Sequence, residues 1–236
     1  MTHTNQRIVH TLRVAARLLS YPDQALRSHL PELGAALHEE GALCAARLTE
    51  LDALLATLAR NDGLDSEAVY VELFDRGRST SLHLFEHVHG DSRERGPAMI
   101  DLAQTYEKAG LYLAPGELPD YLPAVLEFAS TQPPAAARAF LGEIAHILNA
   151  LFSALLQRQS GYASVLGALL ELAGEKAQAV SIAPDEALDD SWAEPLAFDG
   201  CSVHGQARPD QPQPIHIVRK AASSQAANGT HGIQGA

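Results

Sequence analysis

Apolar residues recur at helical spacing along most of the chain. Ile8, Leu12, Ala15 and Leu19 form one stripe, Leu48, Leu51, Leu55 and Leu58 a second, and Leu141, Ile144, Leu148, Leu151 and Leu155 a third. Intervals of three and four residues place each set on one helix face, so these segments predict amphipathic helices packed around a common core. Punctuation falls between them: Tyr21-Pro22-Asp23 ahead of a short helix, Gly41 after Glu40, Asn61-Asp62-Gly63 as a turn, and Gly110 and Gly174 as helix stops. Asp91 followed by Glu94 has the layout of a capping box and predicts a helix start, although Pro97 favours a later beginning or a bend near Gly96. The expectation is an all-α fold, a single globular helical domain of about nine helices.

Composition agrees with that class. Hydrophobic residues make up 46% of the 236 residues and aromatic ones only 6%, with Ala and Leu abundant. Those two lose little side-chain freedom in a helix, whereas sheets draw on aromatic and β-branched residues. After Gly174 the character changes. Asp185, Glu186, Asp189, Asp190, Glu194 and Asp199 fall between Ser181 and Gly200 without a base, and Pro, Gln, Ser, Ala and Gly dominate from Arg208 onward. Such a stretch buries too little apolar surface to offset chain entropy. The sequence therefore divides into a helical body, 1–176, and a mostly disordered, acidic then low-complexity tail, 177–236, in which Trp192, Leu196 and Phe198 are the residues suited to dock back.

Charge and chemistry narrow the function classes. Seventeen Lys and Arg against 29 Asp and Glu, a net −12, disfavour a nucleic-acid partner, since phosphate backbones are held by surplus cations. The apolar stretch Ile8–Leu19 is interrupted by Arg13 and Arg17. The longest uncharged apolar stretch, Ile144–Gln157, is shorter than the roughly 18 residues that span a bilayer, so it reads as a core helix and no export signal or stable membrane insertion is expected. Cys44 and Cys201 form no C-x-x-C pair, which disfavours a cysteine zinc site and suits a reducing cytoplasm. No phosphate loop, dinucleotide fingerprint or nucleophile elbow occurs.

One segment does offer metal chemistry. His83-Leu84-Phe85-Glu86-His87 matches H-x-x-E-H, in which two imidazoles a helical turn apart hold zinc beside a carboxylate. Tyr162, Ala163 and Ser164 stand where the third ligand of such a peptidase would be sought, and His89, two residues from His87, cannot join both imidazoles from one helix. Cys201 and His204 are isolated. A zinc hydrolase is thus a distant reading, and no catalytic residue, metal ligand or resident cofactor is expected. As a binding surface the region from Tyr70 to Phe128 has more to offer. Tyr70, Leu73, Phe74, Leu82 and Phe85 could wall an apolar groove, with Glu86, Asp91, Asp120 and Glu127 as acids around it, a setting for a basic amphipathic helix. Leu73 and Phe74 taken singly read as core, and Asp120 equally as a cap on a helix from Tyr121 to Ala129.

The same region carries a resemblance. YVELFDRGRSTSLHLFEHVHGDSRERGPAM, from Tyr70 to Met99, and AGLYLAPGELPDYLPAVLEF, from Ala109 to Phe128, closely resemble the corresponding segments of NarJ-type nitrate reductase assembly chaperones, within the wider class that matures molybdenum-cofactor enzymes. In that class the Glu, Pro and Asp of ELPD-like segments lie by the site for the client's N-terminal peptide. Glu117, Pro119 and Asp120 match, while Tyr121 stands where the family often has His and can still hydrogen-bond and stack. The implied client-peptide site takes Tyr70, Leu73, Phe74, Phe85, Glu86 and His87 from the first segment, with Asp91 and Arg95. Glu117, Pro119, Asp120 and Tyr121 complete it from the second. The resemblance implies a cytoplasmic chaperone, not an enzyme, that binds the apo catalytic subunit of respiratory nitrate reductase. It would hold that subunit for molybdenum cofactor and iron–sulfur insertion before membrane docking, in concert with cofactor delivery proteins. A generic helical adaptor with another client is the alternative.

Overall fold

Helices α1 (Val9–Leu18), α8 (Leu122–Thr131) and α11 (Ala163–Ala173) form the spine of a computed structural model that describes residues 7–88 and 93–180. Between them run α2 (Gln24–Ser28), α3 (Leu30–Glu40), α4 (Ala45–Arg60), α5 (Gly63–Phe74), a 3-10 turn (Arg78–Thr80), α6 (Leu84–Val88), α7 (Arg95–Lys108), α9 (Pro134–Glu143) and α10 (Ala145–Gln157). Among the described residues there are thus eleven α-helices and no strand longer than one isolated bridge. Residues 181–236 lie outside the described ones, and with them most of the proposed tail, including Trp192, Leu196, Phe198, Cys201 and His204. The described residues all fall in one compact unit, Met1–Ser191.

Alanine- and leucine-rich α11 is apolar on nearly every side, and it lies at the centre, against α4, α9 and α10. Val165, Leu166 and Leu169 have no exposed surface there, and each such side chain stabilises by about 2 kcal/mol over an exposed one. Gly174 ends the helix in the left-handed conformation, as Gly41 ends α3, fulfilling the role the sequence assigns to both. On one side α1 packs along α8 and α3, burying Leu12, Ala15, Ala16 and Leu18 and turning Arg13 and Arg17 outward.

Local chemistry sets several boundaries. Asp23 caps α2 through its carboxylate and the Leu26 N–H (2.7 Å), so the Tyr21-Pro22-Asp23 turn delivers the short helix expected. Asp62 likewise accepts from Leu64 N–H (2.9 Å), and the anticipated turn at 61–63 is therefore a two-residue junction with Gly63 already helical. The third stripe is not one helix. α9 stops at Glu143 and α10 starts at Ala145 with a 66° bend, because Ile144 leaves helical geometry (φ −96°, ψ 5°) two residues after Gly142, a poor helix former. α7 begins at Arg95, not at Asp91, which lies outside the described residues. Glu94 precedes its first residue without a side-chain cap, and Pro97 falls in the first turn, where a missing N–H costs nothing. Beyond 176 the backbone is still hydrogen-bonded to α10: the N–H groups of Gln178 and Val180 donate to Asn149 Oδ1 (2.8 Å) and Ser153 Oγ (3.0 Å).

Candidate functional site

The two sequence segments singled out above meet through a short antiparallel bridge between His83 and Tyr121. Leu84 N–H donates to the Asp120 carbonyl (3.0 Å) and Leu122 N–H to the Leu82 carbonyl (2.8 Å), so residues 82–84 and 120–122 run side by side. This pairing orders a stretch that periodicity alone reads as helix: His83 lies in the bridge, and α6 starts one residue later.

Asp120 is the hub. Its side chain has no exposed surface. One carboxylate oxygen accepts the N–H of Phe85 (3.1 Å), in the first turn of α6. The other lies 3.3 Å from His83 Nδ1, and Arg95 Nη2 approaches the first oxygen to 3.9 Å. A carboxylate only accepts, so His83 Nδ1 carries the proton. That contact raises the His83 pKa, with partial burial acting the other way. The carboxylate therefore caps α6, across the chain, rather than the helix that follows it; α8 has Tyr121 at its cap position and no side-chain cap bond. Buried charge is tolerable here because a backbone donor, an imidazole and a guanidinium converge on it. Arg95 also reaches Glu86 Oε1 (3.4 Å), joining α7 to α6.

Tyr121 ties the pair to the core. Its hydroxyl lies 3.2 Å from that of Tyr70, whose single proton goes to the Leu19 carbonyl (2.8 Å), so Tyr121 is the donor. Its ring also rests against His83, centroids 5.4 Å apart. Tyr70, Leu73 and Phe74 are buried in the core, with Phe74 and Tyr162 edge to face (5.2 Å), and Leu82 is buried likewise; of these Tyr70 reaches the site, through Tyr121, while Leu73 lines a different cleft, with Leu54, Leu58 and Tyr162. Burial pushes the Tyr162 hydroxyl up to about 12.

His87 turns to the Ser81 carbonyl (2.8 Å through Nε2), away from the Asp120 contact of His83. With His83 outside the helix, the turn-apart geometry that the H-x-x-E-H spacing assumes is not realised. Among the described residues no group of three His, Cys, Asp or Glu side chains could hold a metal ion. His89 and Asp91 lie outside the described residues. Phe85 and Glu86 are half-buried, Pro119 is buried, and Glu117 is exposed with its carboxylate near Ala114 N–H (3.3 Å).

Sequence reasoning missed four contributors. Tyr106, the single buried residue of α7, donates its hydroxyl to the Pro119 carbonyl (2.8 Å) and stacks on Phe128 (4.8 Å). Arg13 and Arg17 line a cleft of about 480 Å³ next to this segment, together with Glu117, Glu127, Phe128 and Tyr112. The only sequence hint of the arginines is their four-residue spacing on the polar face of α1. Gly77 is needed for space rather than conformation, since a Cβ there would stand 2.8 Å from Arg158 Nη2 and collide with Thr80 Oγ1.

Comparison with known proteins bears on what this arrangement serves. The family described as nitrate reductase delta subunit matches residues 22–167. The nitrate reductase molybdenum cofactor assembly chaperone NarJ of Escherichia coli K12 is 45% identical over 191 residues, 80% of either chain. In the same strain, the candidate assembly chaperone NarW is 39% identical over 193 residues, covering 78% of this chain and 80% of that one. Among solved structures, a candidate redox enzyme maturation protein from Archaeoglobus fulgidus superposes with a TM-score of 0.51 at 23% identity, over 71% of this chain and 94% of the other, a likeness of fold.

Proposed function

The chain belongs to the family of NarJ-type nitrate reductase molybdenum cofactor assembly chaperones, and from that premise we propose that it binds the apo catalytic subunit of respiratory nitrate reductase, N-terminal peptide included. It holds this client in the cytoplasm while molybdenum cofactor and iron–sulfur clusters are inserted, and releases it for membrane docking. The chaperone contributes binding rather than catalysis and no cofactor of its own; delivery proteins bring the molybdenum cofactor to the client.

The observation that carries this reading is the clamped Glu117–Tyr121 segment. Asp120 and Tyr121 fix it from behind, through His83, Phe85, Arg95 and Tyr70, while Glu117 stays exposed beside an open cleft. Rigid presentation lowers the ordering cost of binding. Asp120, being fully buried, acts in this conformation as a positioning residue, and client contact falls to the exposed groups around it.

Calorimetric titration of the full chain with a synthetic peptide covering the N-terminus of the same organism's nitrate reductase catalytic subunit tests the proposal. Saturable one-site binding that weakens with added salt and on Asp120→Ala is expected. A folded chain that retains neither the peptide nor the apo-subunit would sink the reading.

A further inference from the structure

The cleft between α1, α8 and the segment before α8 separates its charges by element. Arg13 and Arg17, one helical turn apart on α1, bring the positive ones, and Glu127 on α8 with Glu117 ahead of it the negative ones. Phe128, mostly buried, and Tyr112, 80% exposed, add apolar surface to the lining. Arg13 Nε donates to Ser130 Oγ (3.2 Å), which holds this guanidinium at the cleft. Among the described residues the side chains of Arg17 and Glu127 have no hydrogen-bond or ion-pair partner, although opposite charges line the same cleft.

We infer that this cleft seats an amphipathic client helix whose apolar stripe is flanked by acidic residues on one side and basic residues on the other. The inference rests on the chaperone reading and refines it, since the overall charge of −12 suggests a purely basic partner. A purely basic helix would bring like charges onto Arg13 and Arg17, and a purely acidic one onto Glu117 and Glu127. Only a helix with segregated flanks meets both elements with opposite charge, while its apolar side chains cover the exposed ring of Tyr112. Such complementarity sets register and excludes wrong partners more than it adds raw affinity.

The test uses the full chain and three synthetic amphipathic peptides with one shared apolar stripe, carrying Lys on both flanks, Glu on both, or Glu on one and Lys on the other. The mixed peptide is expected to bind on the order of ten-fold tighter than either uniform one at low salt. Arg17→Glu should move the preference to the all-Lys peptide and Glu127→Lys to the all-Glu peptide. Both positions are exposed and unpartnered, so the variants should melt like the parent, and a third reversal, Arg13→Glu, provides a check if one does not. Equal affinity for all three peptides, or a preference indifferent to the reversals, overturns the inference. Retention of the apo catalytic subunit tells the two readings apart. If the reversed variants retain it as the parent does, the cleft is not the seat and the chaperone reading stands; if the parent itself fails to retain it, both fall.

Discussion

Tyr70 has one hydroxyl proton, and the Leu19 carbonyl receives it, so Tyr121 must donate to Tyr70 and each phenol has a defined part. Tyr121→Phe removes one hydrogen bond and leaves Tyr70 satisfied, a loss of about 1 kcal/mol in urea denaturation, whereas Tyr70→Phe strands a buried carbonyl and should cost roughly twice that. Equal losses would contradict the assignment of donor and acceptor. At Asp120 the order of stability should run Asp, then Asn, then Ala. An amide oxygen still accepts from Phe85 N–H, while Ala leaves that donor and Arg95 without the carboxylate, at about 3 kcal/mol. His83 adds a pH dependence of definite sign. Its pKa is raised above 6.5, chiefly by the hydrogen bond to Asp120, so the stabilisation is complete below about pH 6.5 and drains away as pH climbs through the elevated folded value. The part-exposed ring keeps the effect under about 1 kcal/mol. Denaturation at pH 6 and pH 8.5 should show His83→Gln costing more at the lower pH, and a pH-independent difference would remove the coupling.

Helix α7 contrasts with the rest of the body. It buries only Tyr106, and it is fastened near its two ends, by Arg95 to Glu86 and Asp120 and by Tyr106 to Pro119 and Phe128. A helix held mainly by termini opens locally at lower free energy than one embedded like α11. Tyr106→Phe, which removes about 1 kcal/mol of fastening, should speed amide hydrogen exchange in α7 about five-fold and leave α11 unchanged. Acceleration throughout the chain would mean that α7 is integral to the global unit instead. The same contrast marks what is legible from sequence. α1 and α4 follow their apolar spacing, and Gly41 and Gly174 stop helices where expected, because local period and backbone freedom decide those features. The Leu141–Leu155 stripe misleads, since Gly142 and Ile144 break it without disturbing the period. His83-Leu84-Phe85-Glu86-His87 misleads more deeply, for its first residue is drawn out of the helix by pairing with Tyr121, far along the chain. Family resemblance pointed to Asp120 and Tyr121 as a site; only the tertiary pairing shows one as a buried hub and the other as its anchor.

At the scale of the whole molecule, the boundary of the body is the feature that sequence composition places least sharply. Loss of apolar periodicity after Gly174 suggests a break at 176, yet the backbone of Gln178 and Val180 is hydrogen-bonded to side chains of α10, and Ala177 packs against the core. Composition could not have shown this, because the donors are backbone N–H groups, which every residue but proline carries, and the acceptors, Asn149 and Ser153, sit on a helix whose other faces are apolar. We therefore propose that the client-binding body runs through Val180. A chain ending at Val180 should keep the thermal midpoint of the full chain and its affinity for the client peptide. Ending at Lys176 removes the two N–H hydrogen bonds, of about 1 kcal/mol each, and should lower the midpoint by about 4 to 8 °C, given roughly 2 to 4 °C per kcal/mol for a domain of this size. If the two truncations melt together, residues 177–180 contribute nothing to the body. If the chain ending at Val180 melts well below the full one, the residues after it carry structure that the body depends on, and the division into body and tail must move towards the C-terminus.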